Sequence, residues 1–169
     1  MTLLIEKPGP LASVQDLGRH GHRQLGICPG GALDTLALSI ANRLVGNATG
    51  AAGLELTLGG SVLRFETDTR IALVGDDFGA TLDGQPLWPC WSVPVAAGQT
   101  LRLAGANASV STGGGKAGLR SWLAVAGGID VPPVLGSRST DLKAGFGGHE
   151  GRALRKGDRL PLGESALAE

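Results

Sequence analysis

The chain has 169 residues, and its 15 basic side chains are balanced by 15 acidic ones, so nothing electrostatic recruits nucleic acid or an anionic membrane. A chain of this length suits one domain that buries about two-thirds of its unfolded surface without covalent staples. Cys28 and Cys90 fall outside any CxxC or Cys/His spacing, and no apolar run approaches the roughly 18 residues of a membrane span, which together predict free thiols in a cytoplasmic protein.

Glycine is the outlier at 29 residues, dispersed among 9 prolines and 42 % hydrophobic residues. Short apolar runs with this punctuation predict a mainly β fold, a barrel or sandwich. Strands are expected at Leu3 to Glu6 and Ser13 to Gln15. From Asp34 the residues Leu36, Ala37, Ile40, Ala41 and Leu44 recur at helical spacing. Asp34 serves as N-cap and Gly46 as C′ residue of the one principal helix, about Asp34–Val45. Next, Leu54, Leu56 and Leu58 alternate with Glu55 and Thr57 before Gly59-Gly60 and a second run, Ser61 to Phe65. This reads as a two-residue hairpin in which Leu56 faces Leu63 and Glu55 faces Arg64. Arg70 to Val74 is a further strand. Ala80 to Leu87 is a second hairpin turning at Asp83-Gly84, with Pro86 marking an edge. After Thr100 to Leu103 comes a Gly-rich stretch, Gly105 to Gly118, expected as a mobile loop. Leu119 to Ala126, apolar on both faces, is expected to be central.

Several enzyme signatures are absent. There is no GxSxG elbow, Ala153 stands where HExxH needs its second His, and Val110 and Ala117 break the Walker pattern around Gly115-Lys116. Four polar, glycine-containing segments remain: QDLGR (Gln15 to Arg19), PGGALD (Pro29 to Asp34), GSRSTD (Gly136 to Asp141) and GGHEGRALRKGD (Gly147 to Asp158). In GSRSTD, Arg138 offers a planar fork for a carboxylate or phosphate, Ser139 and Thr140 add hydroxyls, and Asp141 can orient them or act as a base. The same residues also suit a turn whose side chains bond their own backbone. In GGHEGR the glycines allow an anion-binding nest and His149 a proton exchange near neutrality, though a solvated glycine turn accounts for them too. QDLGR reads as a surface turn pairing Asp16 with Arg19, or as part of a site, and for Asp34 the helix cap suffices. His20, His22 and His149 are too few for a histidine metal site, so no metal is expected.

Taken in order, VQDLGR, GALD with ANRLVGN, LELTLGG, LAVAGGID, VLGSRSTD and GGHEGRALRKGD resemble the family of the 5-oxoprolinase C component. It is also called the biotin-dependent carboxyltransferase or allophanate hydrolase subunit 2 family and includes KipA. The likeness runs from about Val14 to Asp158. Departures are local: Gly30 stands where many relatives carry Ser, and Trp122 where an aromatic such as Tyr is usual. Members are about twice as long, with two related halves, so residues 1–169 correspond to the N-terminal half as a single domain and the second half is absent. The resemblance implies a cyclophilin-like β-barrel. It also implies a bacterial, cytoplasmic hydrolase component that is not active alone and joins an ATP-dependent complex converting 5-oxo-L-proline to L-glutamate. Partners would be an allophanate hydrolase subunit 1-like (KipI-like) protein and a LamB/YcsF-like protein. ATP would act through the complex, and biotin only if carried by another chain.

By motif position, the candidate catalytic residues are Arg138, Ser139, Thr140, Asp141 and His149. The candidate substrate-binding residues are Arg19, Asp34, Gly147, Gly148 and Arg152. The resemblance leaves two alternatives open: a carboxyltransferase component of a urea carboxylase or allophanate-type system, and a non-catalytic, KipA-like regulatory binding protein.

Overall fold

A computed structural model of the chain describes residues 1–105, 108 and 118–166. In chain order the elements are β1 (Thr2–Pro8), β2 (Leu11–Gln15), α1 (Thr35–Leu44), β3 (Gly53–Thr57), β4 (Ser61–Phe65), β5 (Thr69–Gly75), β6 (Thr81–Leu82), β7 (Gln85–Pro86), β8 (Val93–Val95), β9 (Thr100–Arg102), β10 (Arg120–Val125) and β11 (Arg159–Pro161). They form two antiparallel sheets, one ordered β11-β1-β4-β9-β6-β7 and the other β2-β3-β10-β5-β8. Between the sheets, Leu3, Ile5, Leu63, Phe65 and Leu101 pack with Val14, Leu54, Leu56, Ile71, Leu73 and Leu123 in one core. This is the mainly β, one-helix fold that the composition predicts.

Helix α1 lies on the outer face of the second sheet, where Ala37, Leu38 and Ala41 meet Ala72, Trp122 and Ala124. The small residues on the sheet bring the helix close. At Gly53 an added Cβ would stand 2.9 Å from Leu38 Cδ1. The helix ends are those the sequence predicts: Ala37 N–H donates to Asp34 Oδ1 at 2.9 Å, and Gly46 follows the C-cap at φ 76°. Replacing Asp34 by Ala should therefore cost about 1 kcal/mol in urea denaturation, and an unchanged midpoint would show that the cap is idle.

The Asp83-Gly84 hairpin also forms, with φ of 47° and 82° at the turn, and Pro86 sits in the edge strand β7. Strand β10 is the middle strand of its sheet, as its two apolar faces require. The Gly53 to Phe65 hairpin, however, does not form. Strands β3 and β4 belong to different sheets. Leu58, Gly59 and Gly60 are three successive left-handed residues, with φ of 60°, 66° and 71°, and they carry the chain across the core to the opposite sheet. A type I′ turn needs only two such residues. Leu54, Leu56, Leu63 and Phe65 still reach the same core, from opposite sides, so the apolar alternation fits either arrangement.

Glu55 consequently has no partnership with Arg64. It accepts hydrogen bonds from Trp122 Nε1 at 3.0 Å and Leu33 N–H at 2.7 Å, with Arg120 at 3.5 Å, and so fixes the segment leading into α1. Strands β8 and β11 and a 3-10 turn at Arg23–Leu25 carry no clear signal in the sequence. Most of the Gly105 to Gly118 loop lies outside the described residues. Among the described residues no helix is long and apolar enough to cross a membrane.

Candidate functional site

Parts of all four polar segments meet at the end of β2, and Asp16 is their hub. PGGALD pairs with QDLGR through Arg19 N–H to the Pro29 carbonyl at 2.7 Å and Ala32 N–H to the Asp16 carbonyl at 2.9 Å, and GSRSTD and the start of GGHEGR pack on the same segment. Asp16 Oδ1 accepts from Ser137 Oγ at 2.6 Å, Ser139 Oγ at 2.6 Å and Gly18 N–H at 2.7 Å, while Oδ2 accepts from Arg138 N–H at 2.5 Å. The hydroxyls are committed from both sides: Asp16 N–H donates to Ser139 Oγ at 2.9 Å, and Ser139 N–H to Ser137 Oγ at 3.0 Å. Ser139 Oγ thus donates to one carboxylate and accepts from a backbone N–H within the buried seam. Burial pushes the Asp16 carboxyl upward, but bonds from Ser137, Ser139, Arg138 and Gly18 outweigh it and hold the group below its usual range.

Thr140 continues this seam along β2. Its N–H and Oγ1 both donate to Val14 O, at 2.9 and 3.0 Å. Gln15 Nε2 bridges Ser13 Oγ and the Thr140 carbonyl. Gly147 and Gly148, both with positive φ, close over the seam so tightly that an added Cβ would stand 2.2 Å from Ser139 O and 1.9 Å from Thr140 Oγ1 respectively. Arg19 is drawn into the same cluster. Its Nη2 donates to the Ser139 carbonyl, and its Cζ lies 4.7 Å from the centroid of the Phe146 ring.

QDLGR is therefore no surface turn. Asp16 and Arg19 are both buried and do not pair with each other. Ser137 and Phe146 are participants that sequence reasoning missed, and Asp16 has a role as hub that it did not assign. Asp16 contacts Ser137 and Ser139 across 121 and 123 residues, and no local pattern announces a bond of that range.

The remaining candidates lie apart from this hub or are otherwise engaged. Arg138 turns its side chain toward Val131 and Asp130: Nε donates to Val131 O at 2.7 Å and Nη2 meets the exposed Asp130 at 3.1 Å. Asp141 Oδ1 accepts from the N–H groups of Lys143 and Ala144, at 3.1 and 2.9 Å, an Asx-type turn. Arg152 grips Asp158 with both Nη atoms, at 2.8 and 2.9 Å, and also bonds Glu150. His149 Nε2 lies 3.6 Å from Asp158 Oδ1. The hydrogen bonds from Arg152, with its charge and that of His149, keep the Asp158 carboxyl low despite burial. Asp34 is spent on its helix cap. Cys28 and Cys90 are free thiols, and no cluster of metal-ligating side chains occurs among the described residues.

A shallow pocket of about 340 Å³ opens elsewhere, beside the edge strands β7 and β8, lined by Leu87, Trp88, Trp91, Val93 and Pro94 among others. Among the described residues its lining includes no titratable side chain.

Comparison with known proteins gives this arrangement its context. The family described as carboxyltransferase domain, subdomain A and B, matches residues 25–169. The chain belongs to this family. Among carboxyltransferase-domain relatives, the 5-oxoprolinase C component of Escherichia coli (strain K12) is 53 % identical over 163 residues, covering 96 % of this chain and 50 % of the relative. The Haemophilus influenzae protein of the same name is 42 % identical over 149 residues, covering 88 % of this chain and 45 % of the relative. In structure, the carboxyltransferase-domain chain is similar to the Kluyveromyces lactis urea amidolyase, with a TM-score of 0.86 and 37 % identity. That match covers 99 % of this chain and 10 % of the solved one. The chain thus spans about half the length of these curated 5-oxoprolinase relatives.

Proposed function

We propose that this chain is a component of an ATP-dependent 5-oxoprolinase that hydrolyses 5-oxo-L-proline to L-glutamate. It contributes one wall of a composite site and is not active alone. The observation that carries the reading is the 53 % identity to a 5-oxoprolinase C component across nearly the whole chain. In this reading residues 1–169 form one of two related halves and work in the cytoplasm. The partners are an allophanate hydrolase subunit 1-like protein and a LamB/YcsF-like protein, and ATP is bound through them. Arg138, whose fork suits a carboxylate or phosphate, pairs with Asp130, and Arg152, a candidate substrate-binding residue, pairs with Asp158 and Glu150. No step through ATP or biotin is therefore assigned to residues of this chain. The wall consists of the Gly136 to Asp141 seam anchored by Asp16 and the Gly147-Gly148 turn that packs directly on it, where a Cβ would collide with Ser139 and Thr140.

A carboxyltransferase role, as in urea carboxylases, is favoured by the family match and by the likeness to urea amidolyase. Biotin would then arrive on another chain. One assay separates the two: ATP-dependent release of glutamate from 5-oxoproline, with this chain and both candidate partners present and each omitted in turn. Glutamate release that requires all three supports the oxoprolinase reading. No release, together with carboxyl transfer to urea from a supplied biotinylated carrier, replaces it.

A further inference from the structure

Helix α1 carries apolar side chains on its outer face as well as its inner one. Ala37, Leu38 and Ala41 pack on the second sheet, yet Leu36 is 68 % exposed and Ile40 41 % exposed. With the partly buried Leu44 they stand at i, i+4 and i+8, one ridge along the solvent side of the helix. Leu33, 73 % exposed, adds to this surface just ahead of the N-cap. A helix that faced only water would turn polar groups outward there. Beside the ridge runs a shallow groove of about 360 Å³, lined by Leu36, Ser39, Ile40, Arg43 and Leu44. Ridge and groove side by side are what a second helix packs into.

Charge indicates which helix. The helix and its caps hold two charged residues, Asp34 at the N-terminal end and Arg43 in the last turn, and both are exposed. Among the described residues neither makes an ion pair. A second copy laid antiparallel across the ridge, with a two-fold axis midway between Leu36 and Ile40, brings Leu36 of each copy against Ile40 of the other. Arg43 lies three residues past Ile40 and Asp34 two before Leu36. Each Arg43 therefore comes level with the other copy's Asp34 to within one residue, about 1.5 Å along the axis. The two-fold axis makes this contact twice, as a self-complementary interface requires. Antiparallel packing also sets the N-terminal end of each helix dipole beside the C-terminal end of the other, whereas a parallel pair would oppose like charges.

We propose that the outer face of α1 is a self-association surface whose partner is a second copy of this chain, joined antiparallel about a two-fold axis between Leu36 and Ile40. The surface does not depend on the oxoprolinase reading. One face of a 10-residue helix is small beside the roughly 1,200–2,000 Å² of stable interfaces, so a reversible equilibrium between monomer and dimer is expected.

The test is analytical ultracentrifugation of the full chain over a dilution series. The average mass should rise with concentration towards that of a dimer. Ile40→Asp should weaken association about a hundredfold or more, because two isoleucines per dimer lose their burial. Trp91→Asp is the control: it removes a 68 % exposed side chain at the pocket beside β8 and should leave the equilibrium unchanged. Asp34→Lys and Arg43→Glu should each weaken association roughly tenfold or more by opposing like charges. Mixed together they should restore it, since every charged contact of the mixed dimer then joins opposite signs, and that recovery shows that both variants fold. A monomer at every concentration, or a dimer that Trp91→Asp breaks and Ile40→Asp does not, overturns the surface and leaves the ridge to a partner of different sequence. A folded Arg43→Glu chain that dimerises like wild type, or a mixture of folded variants that fails to recover, overturns the antiparallel pairing.

Discussion

Replacing Asp16 by Ala is expected to destabilise the protein by about 3–5 kcal/mol, because it orphans two buried and two part-buried donors that cost ~1–3 kcal/mol each before water relieves some of them. The donors are the hydroxyls of Ser137 and Ser139 and the N–H groups of Gly18 and Arg138. Asp16→Asn keeps the shape but replaces one acceptor oxygen with an NH2 group, setting donor against donor, and should lie between Ala and wild type. Urea denaturation with an unchanged slope reads both values. A loss under about 1 kcal/mol for Asp16→Ala would remove Asp16 as the hub.

The same carboxylate gives the stability a pH signature. Its folded pKa is depressed relative to the usual aspartate value of about 3.9. Its contribution is therefore complete above that value and is lost as pH falls through the lower, folded one. Asp158, held low by Arg152, acts in the same direction. The stability gap between wild type and Asp16→Asn should hold above about pH 5 and narrow as pH falls from about 5 to about 3. A gap that stays constant across that interval contradicts the assignment.

The second large effect is expected at Gly147. A methyl there would stand 2.2 Å from the Ser139 carbonyl oxygen and 2.7 Å from Arg19 Nη2, on a residue with φ of 71°. Backbone cannot step aside as a flexible side chain can, so Gly147→Ala should cost about 3 kcal/mol or more, roughly 1–2 of it from the left-handed conformation. Gly145→Ala isolates that conformational share. Its φ of 74° is nearly the same, but the added Cβ meets nothing within 4 Å. Thermal unfolding should show a loss of roughly 1–2 kcal/mol for Gly145→Ala and a clearly larger one for Gly147→Ala. Equal losses would show that strain alone, and not the packing of the turn onto the Ser139 seam, decides the site.

Features set by a few neighbouring residues were legible in the sequence. Asp34 and Gly46 bracket α1 because a capping oxygen and a left-handed glycine act within one turn of the helix. Asp83-Gly84 makes its hairpin because both residues accept positive φ. Strand β10 is central because both of its faces are apolar. What tertiary structure decided are matters on which local chemistry is indifferent. Alternating leucines in Gly53 to Phe65 bury equally well as a hairpin or as two strands of facing sheets, and the third left-handed residue, Leu58, selects the second. Likewise, QDLGR and GSRSTD each contain polar groups able to satisfy themselves locally. Only the packing of the Gly136 to Asp141 segment against the end of β2 excludes water from both, so that Asp16 must bond Ser137 and Ser139 while Arg19 is left to carbonyls and a ring.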